Sequence, residues 1–170
     1  MASISGKTEQ LAKGVLELVD LSADKSANPH PAITSTWRSP QEQARIMCDN
    51  LYKGKRIRYK WAGQRVVEIF DANNIKLARS EVEKLMTDKI IELSKQGQRV
   101  SKHCVSKEEY DRCNIFDIAP SSMPNPRDFV KAMLESHKVI KVITPFASNY
   151  NDDRVLIDAQ EPAIHLEVMV

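Results

Sequence analysis

"VIKVITPFASNYNDDRVLIDAQEPAIHLEVMV", residues 139–170, holds three short runs rich in Val, Ile and Leu, separated by Pro, Asn, Asp and Ser. β-Branched residues fit a pleated surface and the intervening residues favour turns, so "VIKVITPF", "RVLIDA" and "AIHLEVMV" each predict a strand. Upstream, "NIFDIAP" predicts a buried strand and "PRDFVKAMLESHK" a helix that opens with proline. The remaining helical patterns lie earlier still. "MASISGKTEQLAKGVLELVD" has amphipathic spacing, and "SPQEQARIMCDNLY" predicts a helix capped by Ser39, with Pro40 at its first position and Glu42 in its first turn. "ARSEVEKLMTDKIIELSKQG" predicts a third, with Ser80 as its cap, an end near Gly97, and Met86 and Leu93 facing the core. Between these, "SADKSANPHP" predicts a turn-rich loop, "AITSTW" a short strand, and residues 53–75 a basic, hairpin-like excursion. Helices gather early and strands late, with little alternation, which predicts an α+β fold: a small antiparallel sheet with helices packed on it.

A chain of 170 residues can bury a self-supporting core as one domain, so a metal here is read as catalytic before structural. The sequence is 42% hydrophobic and 28% charged, with no repeats and no apolar run long enough to cross a bilayer, so no membrane association is expected. The first residues lack the basic start and apolar core of a secretory signal, which predicts synthesis in the cytoplasm and delivery by other means. A net charge of +2 is compatible with a polyanionic partner without demanding one. Of the three cysteines, Cys104 and Cys113 bracket "VSKEEYDR" and either close it as a small loop or remain free thiols.

Two of the four histidines stand in informative places. His103 precedes the "NIFDI" segment, and His165 lies within the last predicted strand, as a hydrogen-bonded core histidine or as a ligand. Asp117, between Phe116 and Ile118, would be costly to bury ionised without a cation or several donors. Together they form a His/Asp/His set, the three N/O ligands that a catalytic zinc takes while leaving a position open for water. His30 and His137 are expected to be exposed, Trp37 and Trp61 to pack, and "YKGKRIRYKW", residues 52–61, to be a solvated edge, with a wall contact or a nucleic-acid strand as alternatives. Cys104 beside His103 makes a poor nucleophile pair, because adjacent strand residues point to opposite faces.

Three blocks carry a resemblance. "TSTWRSPQEQARIM" is similar to a Ser-Gly-Tyr-Arg-Ser segment with a following glutamine, matching at Ser35, Arg38 and Gln43. "SKH" followed by "CNIFDI" resembles Ser-x-His-x-x-Gly-x-Ala-x-Asp at Ser101, His103 and Asp117, and "EPAIHLEV" resembles a closing Glu-x-x-His at His165 and, less closely, Glu161. These are motifs of the zinc peptidases of the lysostaphin, D-Ala-D-Ala peptidase and Sonic hedgehog fold group, in particular its D-Ala-D-Ala carboxypeptidase and phage L-Ala-D-Glu endopeptidase branch.

The resemblance implies a hedgehog/D-Ala-D-Ala peptidase-like fold in a single domain with insertions around residues 52–75 and 104–112, and Zn2+ held by His103, Asp117 and His165. It implies Glu161 as the catalytic base, Arg38 as the group that polarises or clamps the substrate, and Ser35, Gln43 and Ser101 as substrate contacts. It also implies peptidoglycan stem peptides as substrate. The chain departs from the pattern in its longer gap between His103 and Asp117, with Cys113 where the family has glycine, and in Pro162 where the family has its catalytic carboxylate. Residues 104–112 are expected to loop out, and Asp158 and Glu167 are reserve bases. Such a hydrolase is a phage lysin, an exported effector with a cognate immunity or export partner, or a cytoplasmic dipeptidase. The competing classes are a non-catalytic wall-binding module and a nucleic-acid-binding domain around residues 52–61; nucleic acid is not the expected partner.

Overall fold

The computed structural model describes residues 2–170; Met1, within the first predicted helix, lies outside them. The chain divides into two compact units, one built from Met1–Trp37 with Lys107–Val170 and the other from Arg38–Ser106.

The first unit contains a six-stranded sheet: β1 (Ser5–Gly6), β2 (Ala32–Ser35), β3 (Cys113–Ile118), β4 (Val139–Thr144), β5 (Val155–Ile157) and β6 (Ile164–Met169). Their order across the sheet is β1-β2-β3-β6-β4-β5. The centre is antiparallel, as expected, but both edge strands pair parallel, β1 with β2 and β5 with β4, so the sheet is mixed. At the β1 edge the backbone approaches so closely that a Cβ on Gly6 would lie 2.1 Å from the Ile33 carbonyl oxygen, and Gly6 has a φ of 87°. Only glycine fits there without strain.

Alternation along the strands sorts side chains between the two faces. Phe116 and Ile118 of β3 and Ile164, Leu166 and Val168 of β6 are fully buried on one face. Helices α1 (Lys13–Lys25) and α6 (Pro126–Leu134) pack on each other, burying Val15, Val19 and Ala23 against Phe129, Val130 and Met133, and α6 also meets β4. Helix α1 starts later than the sequence suggests and runs through residues 22–25 of the predicted loop. It starts where the Ala12 N–H donates to Asn114 Oδ1 of β3 at 2.7 Å. A short helix, α5 (Lys107–Arg112), leads directly into β3, so much of the segment expected to loop out is helical.

Two irregularities in pairing change which face a side chain meets. Ile33 pairs with Ile118 and Ser35 with Asp117, two steps on β2 for one on β3. Val139 likewise pairs with Val168 and Lys141 with Glu167. A bulge inserts one extra residue and reverses the alternation beyond it. Ser35 and Lys141 therefore share the face of Asp117 and Glu167 instead of following Ile33 and Val139 into the apolar core.

The second unit is helical: α2 (Pro40–Tyr52), α3 (Trp61–Asn73) and α4 (Arg79–Lys95), each packed on the other two. Ser39 caps α2, accepting the Glu42 N–H at 3.1 Å. The α4 cap is Ala78, whose N–H donates to Glu81 at 2.9 Å, so Ser80 is inside the helix and is not the cap. Gly97, with a φ of 73°, ends the segment as expected. Residues 61–73 form a helix where a hairpin-like excursion was expected, because Ala62, Val66, Val67 and Phe70 recur at helical spacing and are buried with Met47, Met86, Ile90 and Leu93. Trp61, expected to pack, is exposed at the start of that helix, with the Arg65 guanidinium 5.8 Å from its ring centre. His30 and His137 are exposed, and residues 53–58 and 60 form exposed coil.

Candidate metal centre

In the first unit β3 and β6 run antiparallel in register, placing Asp117 opposite His165 and Ile115 opposite Glu167. The row continues outward to Ser35 on β2 and to Ile143 on β4. Asp117 and His165, 48 residues apart in sequence, thus become cross-strand neighbours, with Asp117 Oδ1 2.9 Å from His165 Nδ1. The His165 side chain is fully buried and that of Asp117 is 16% exposed. On the other edge of the ring, Glu167 Oε1 lies 3.5 Å from His165 Nε2, and the Lys141 ammonium is 3.3 Å from the same Glu167 oxygen. His165, the larger influence, and Lys141 hold the Glu167 carboxyl down at about 2, and burial opposes them.

This arrangement constrains the charge. A neutral imidazole carries one ring proton and one lone pair, so it satisfies a carboxylate on only one of its two edges. The other carboxylate then faces a lone pair across a short gap, in surroundings where unpaired charge is expensive. Asp117 Oδ1 and His165 Nδ1 stand side by side at 2.9 Å. The donor set of one carboxylate oxygen and one imidazole nitrogen is the chemistry zinc accepts, and zinc needs a further N/O ligand to complete a catalytic set.

In the second unit, the turn after α4 presents Ser101 and His103. The His103 side chain is buried, its N–H donates to Ser101 Oγ at 3.3 Å, and its carbonyl accepts the Arg38 N–H at 3.0 Å. Arg38 Nη1 donates in turn to Oε1 of the buried Gln43 at 3.3 Å. Arg38, Gln43, Ser101 and His103 are therefore brought together within one unit, as Ser35, Asp117 and His165 are within the other. His103 in the second unit, and Asp117 and His165 in the first, each offer one atom of a kind that can ligate a metal ion.

The candidate bases are placed less simply. Glu161 is half-buried in a turn closed by its N–H to the Asp158 carbonyl at 3.0 Å. β6 begins only at Ile164, so Glu161 precedes the strand and its alternation does not reach it. Asp158 is exposed and its carboxylate accepts the Gln160 N–H at 3.0 Å. Glu167, held at about 2, is too weak a base to serve near neutral pH. All three cysteines are free thiols, and burial pushes Cys104 up to about 11, the opposite of what a nucleophile requires. Lys141 was missed at the sequence level. Its signal was present in "VIKVIT", where Val139 and Lys141 have the same parity, so that without a bulge the lysine would face the core beside Val139.

No protein-family model, curated protein or solved structure matches the chain.

Proposed function

We propose that this protein is a zinc-dependent peptidase hydrolysing amide bonds in peptidoglycan stem peptides, of D-Ala-D-Ala carboxypeptidase or endopeptidase type, with His103, Asp117 and His165 as the metal ligands. The observation that carries the reading is the cross-strand register that sets Asp117 Oδ1 2.9 Å from Nδ1 of the fully buried His165. The order of the three sequence blocks, which resemble those of the lysostaphin, D-Ala-D-Ala peptidase and Sonic hedgehog fold group, supports the peptidase chemistry. The α+β fold with its antiparallel sheet centre is consistent with it.

Zinc bound by these ligands supplies a Lewis acid that polarises the scissile carbonyl and lowers the pKa of water from about 15.7 toward 7. Glu161 accepts a proton from the attacking water and delivers it to the departing amine, so that one water is consumed per bond cut. Arg38, oriented by Gln43, neutralises the developing oxyanion or the carboxylate of the substrate. Ser35 and Ser101 offer hydroxyls to the peptide. Delivery to the wall follows phage release or secretion.

Digestion of purified muropeptides followed by mass spectrometry tests the reading. Loss of a terminal D-Ala, or a cut within the stem, is expected from the parent. Glu161→Gln should retain zinc while losing about 10²–10⁴-fold in rate. Absence of any product from a zinc-loaded parent would leave a wall-binding module as the better account.

A further inference from the structure

We infer that the exposed basic segment of residues 53–60, with Trp61 beside it, is a docking surface for a linear polymer of phosphodiester-linked polyols, the anionic kind of wall polymer. The inference takes its partner from the wall reading above. It lies wholly within the helical unit and uses none of the residues proposed for the reaction.

Charge comes first. Between Asp49 and Glu68 the sequence has no acidic residue and carries Lys53, Lys55, Arg56, Arg58, Lys60 and Arg65. The whole chain is only +2, so the rest of it is net acidic and positive charge is concentrated in this one stretch. Arg56 is neutralised by Asp71, which it grips with two bonds at 3.1 and 2.5 Å, and Arg65 by Glu68 at 3.0 Å. Among the described residues, Lys53, Lys55, Arg58 and Lys60 have no carboxylate partner, and each is exposed.

The segment is also held in place. The chain leaves α2 through Gly54, at a φ of 71°, and the Lys55 N–H donates to the Asn50 carbonyl at 2.8 Å. Tyr59 seats on α3 where Gly63 leaves room, since a Cβ on Gly63 would lie 2.6 Å from Tyr59 Cβ. The Arg56 fork on Asp71 fixes the stretch between. A coil pinned at Gly54, Arg56 and Tyr59 sets out its cations along a line, with little ordering left to lose on binding. The same stretch leaves Ile57 52% and Trp61 61% exposed, apolar area that folding does not use.

A linear polyanion matches this pattern. Its phosphates meet the four unpaired cations and release their counterions, and the exposed Trp61 ring covers the carbon-bound hydrogens of a polyol. Single-stranded nucleic acid is a poorer match because it is bound on successive aromatic platforms. Here Tyr59 is seated against Gly63, and Tyr52 meets Phe70 edge-on with ring centres 4.9 Å apart. A bilayer is poorer too: a membrane-surface segment separates apolar from charged side chains on a helix, whereas Ile57 stands in coil between Arg56 and Arg58.

Titration of the intact chain with fluorescently labelled poly(glycerol phosphate), followed by anisotropy, tests the inference. The parent should bind, and should lose roughly 10–100-fold in affinity between about 50 and 200 mM salt, as four neutralised phosphates require. Replacing Lys53, Lys55, Arg58 and Lys60 together by Gln should weaken binding at least about tenfold at the lower salt and flatten the salt dependence. Trp61→Ala should weaken it severalfold without loss of stability, which keeps the test decisive if the fourfold variant does not fold. Purified walls should sediment the parent, and walls stripped of phosphodiester polymer should not. Binding unchanged in both variants, equal sedimentation with stripped walls, or tighter binding to a single-stranded oligonucleotide or to anionic phosphatidylglycerol vesicles overturns the inference. Free muropeptides carry no such polymer, so both variants should digest them at the parent rate. A parent that digests muropeptides and does not bind the polymer overturns the docking surface alone; one that binds the polymer and digests nothing overturns the peptidase reading alone.

Discussion

The two faces of the central strands β3 and β6 are built from alternate residues of the same two segments, yet they are governed by opposite physics. On one face Phe116, Ile118, Ile164, Leu166 and Val168 have left water completely, and each contributes about 1.5–3 kcal/mol by doing so. On the other, Asp117, His165 and Glu167 are buried or nearly so at a cost that only mutual charge compensation offsets. The first face accounts for stability. The second face carries charge out of water at a cost in stability.

The widest separation of the two faces is expected in metal content. Elemental analysis should find about one zinc in the parent and none in His103→Ala, Asp117→Ala or His165→Ala, with cooperative unfolding retained. Equal zinc in parent and variants would break the division of labour. Phe116→Ala, on the opposite face of the same strand, should do the reverse, lowering stability by roughly 3–5 kcal/mol in urea denaturation while a folded population still takes up zinc.

Acid titration sharpens the comparison further. Glu167 is held at about 2 in the folded chain, below its ordinary range, so its stabilisation is present above the unfolded carboxylate pKa and is lost as pH falls through the folded value. In the metal-free protein, the stability difference between parent and Glu167→Gln should be roughly 3 kcal/mol at neutral pH, at 1.36 kcal/mol per pKa unit, and vanish near pH 2. A difference independent of pH would mean that Glu167 contributes by shape alone. The smallest effect lies outside the sheet: Trp61→Ala, exposed on α3, should change stability by less than about 0.5 kcal/mol in the same assay.

Much of this molecule can be read from local pattern. β3, β4 and β6, the helices α2, α4 and α6, and the cap at Ser39 follow from periodicity and end signals, because each is decided within a few residues of itself. Helix α3 was obscured by the basic residues before it, although Ala62, Val66, Val67 and Phe70 carry the helical period. The parallel edges were not legible. β1 is two residues long with no pattern to detect, and its place depends on a glycine's approach to a carbonyl. The candidate ligands were legible as residue types, and the resemblance grouped them. That Asp117 faces His165 across a ladder, and that two bulges add Ser35 and Lys141 to the same face, depends on register, which is fixed by the assembled sheet.

That assembly has an order in time. β6 occupies the centre of the sheet, between β3 and β4, yet it is the last of the six strands along the chain. A nascent polypeptide emerging from the ribosome cannot complete the ladder, nor bring a histidine to Asp117, until residues 164–169 have been made. Until then β3 and β4 have no strand to join them, and the hydrolytic chemistry proposed here has no imidazole at its centre. A chain cut short before Ile164 lacks both the central strand of the sheet and His165.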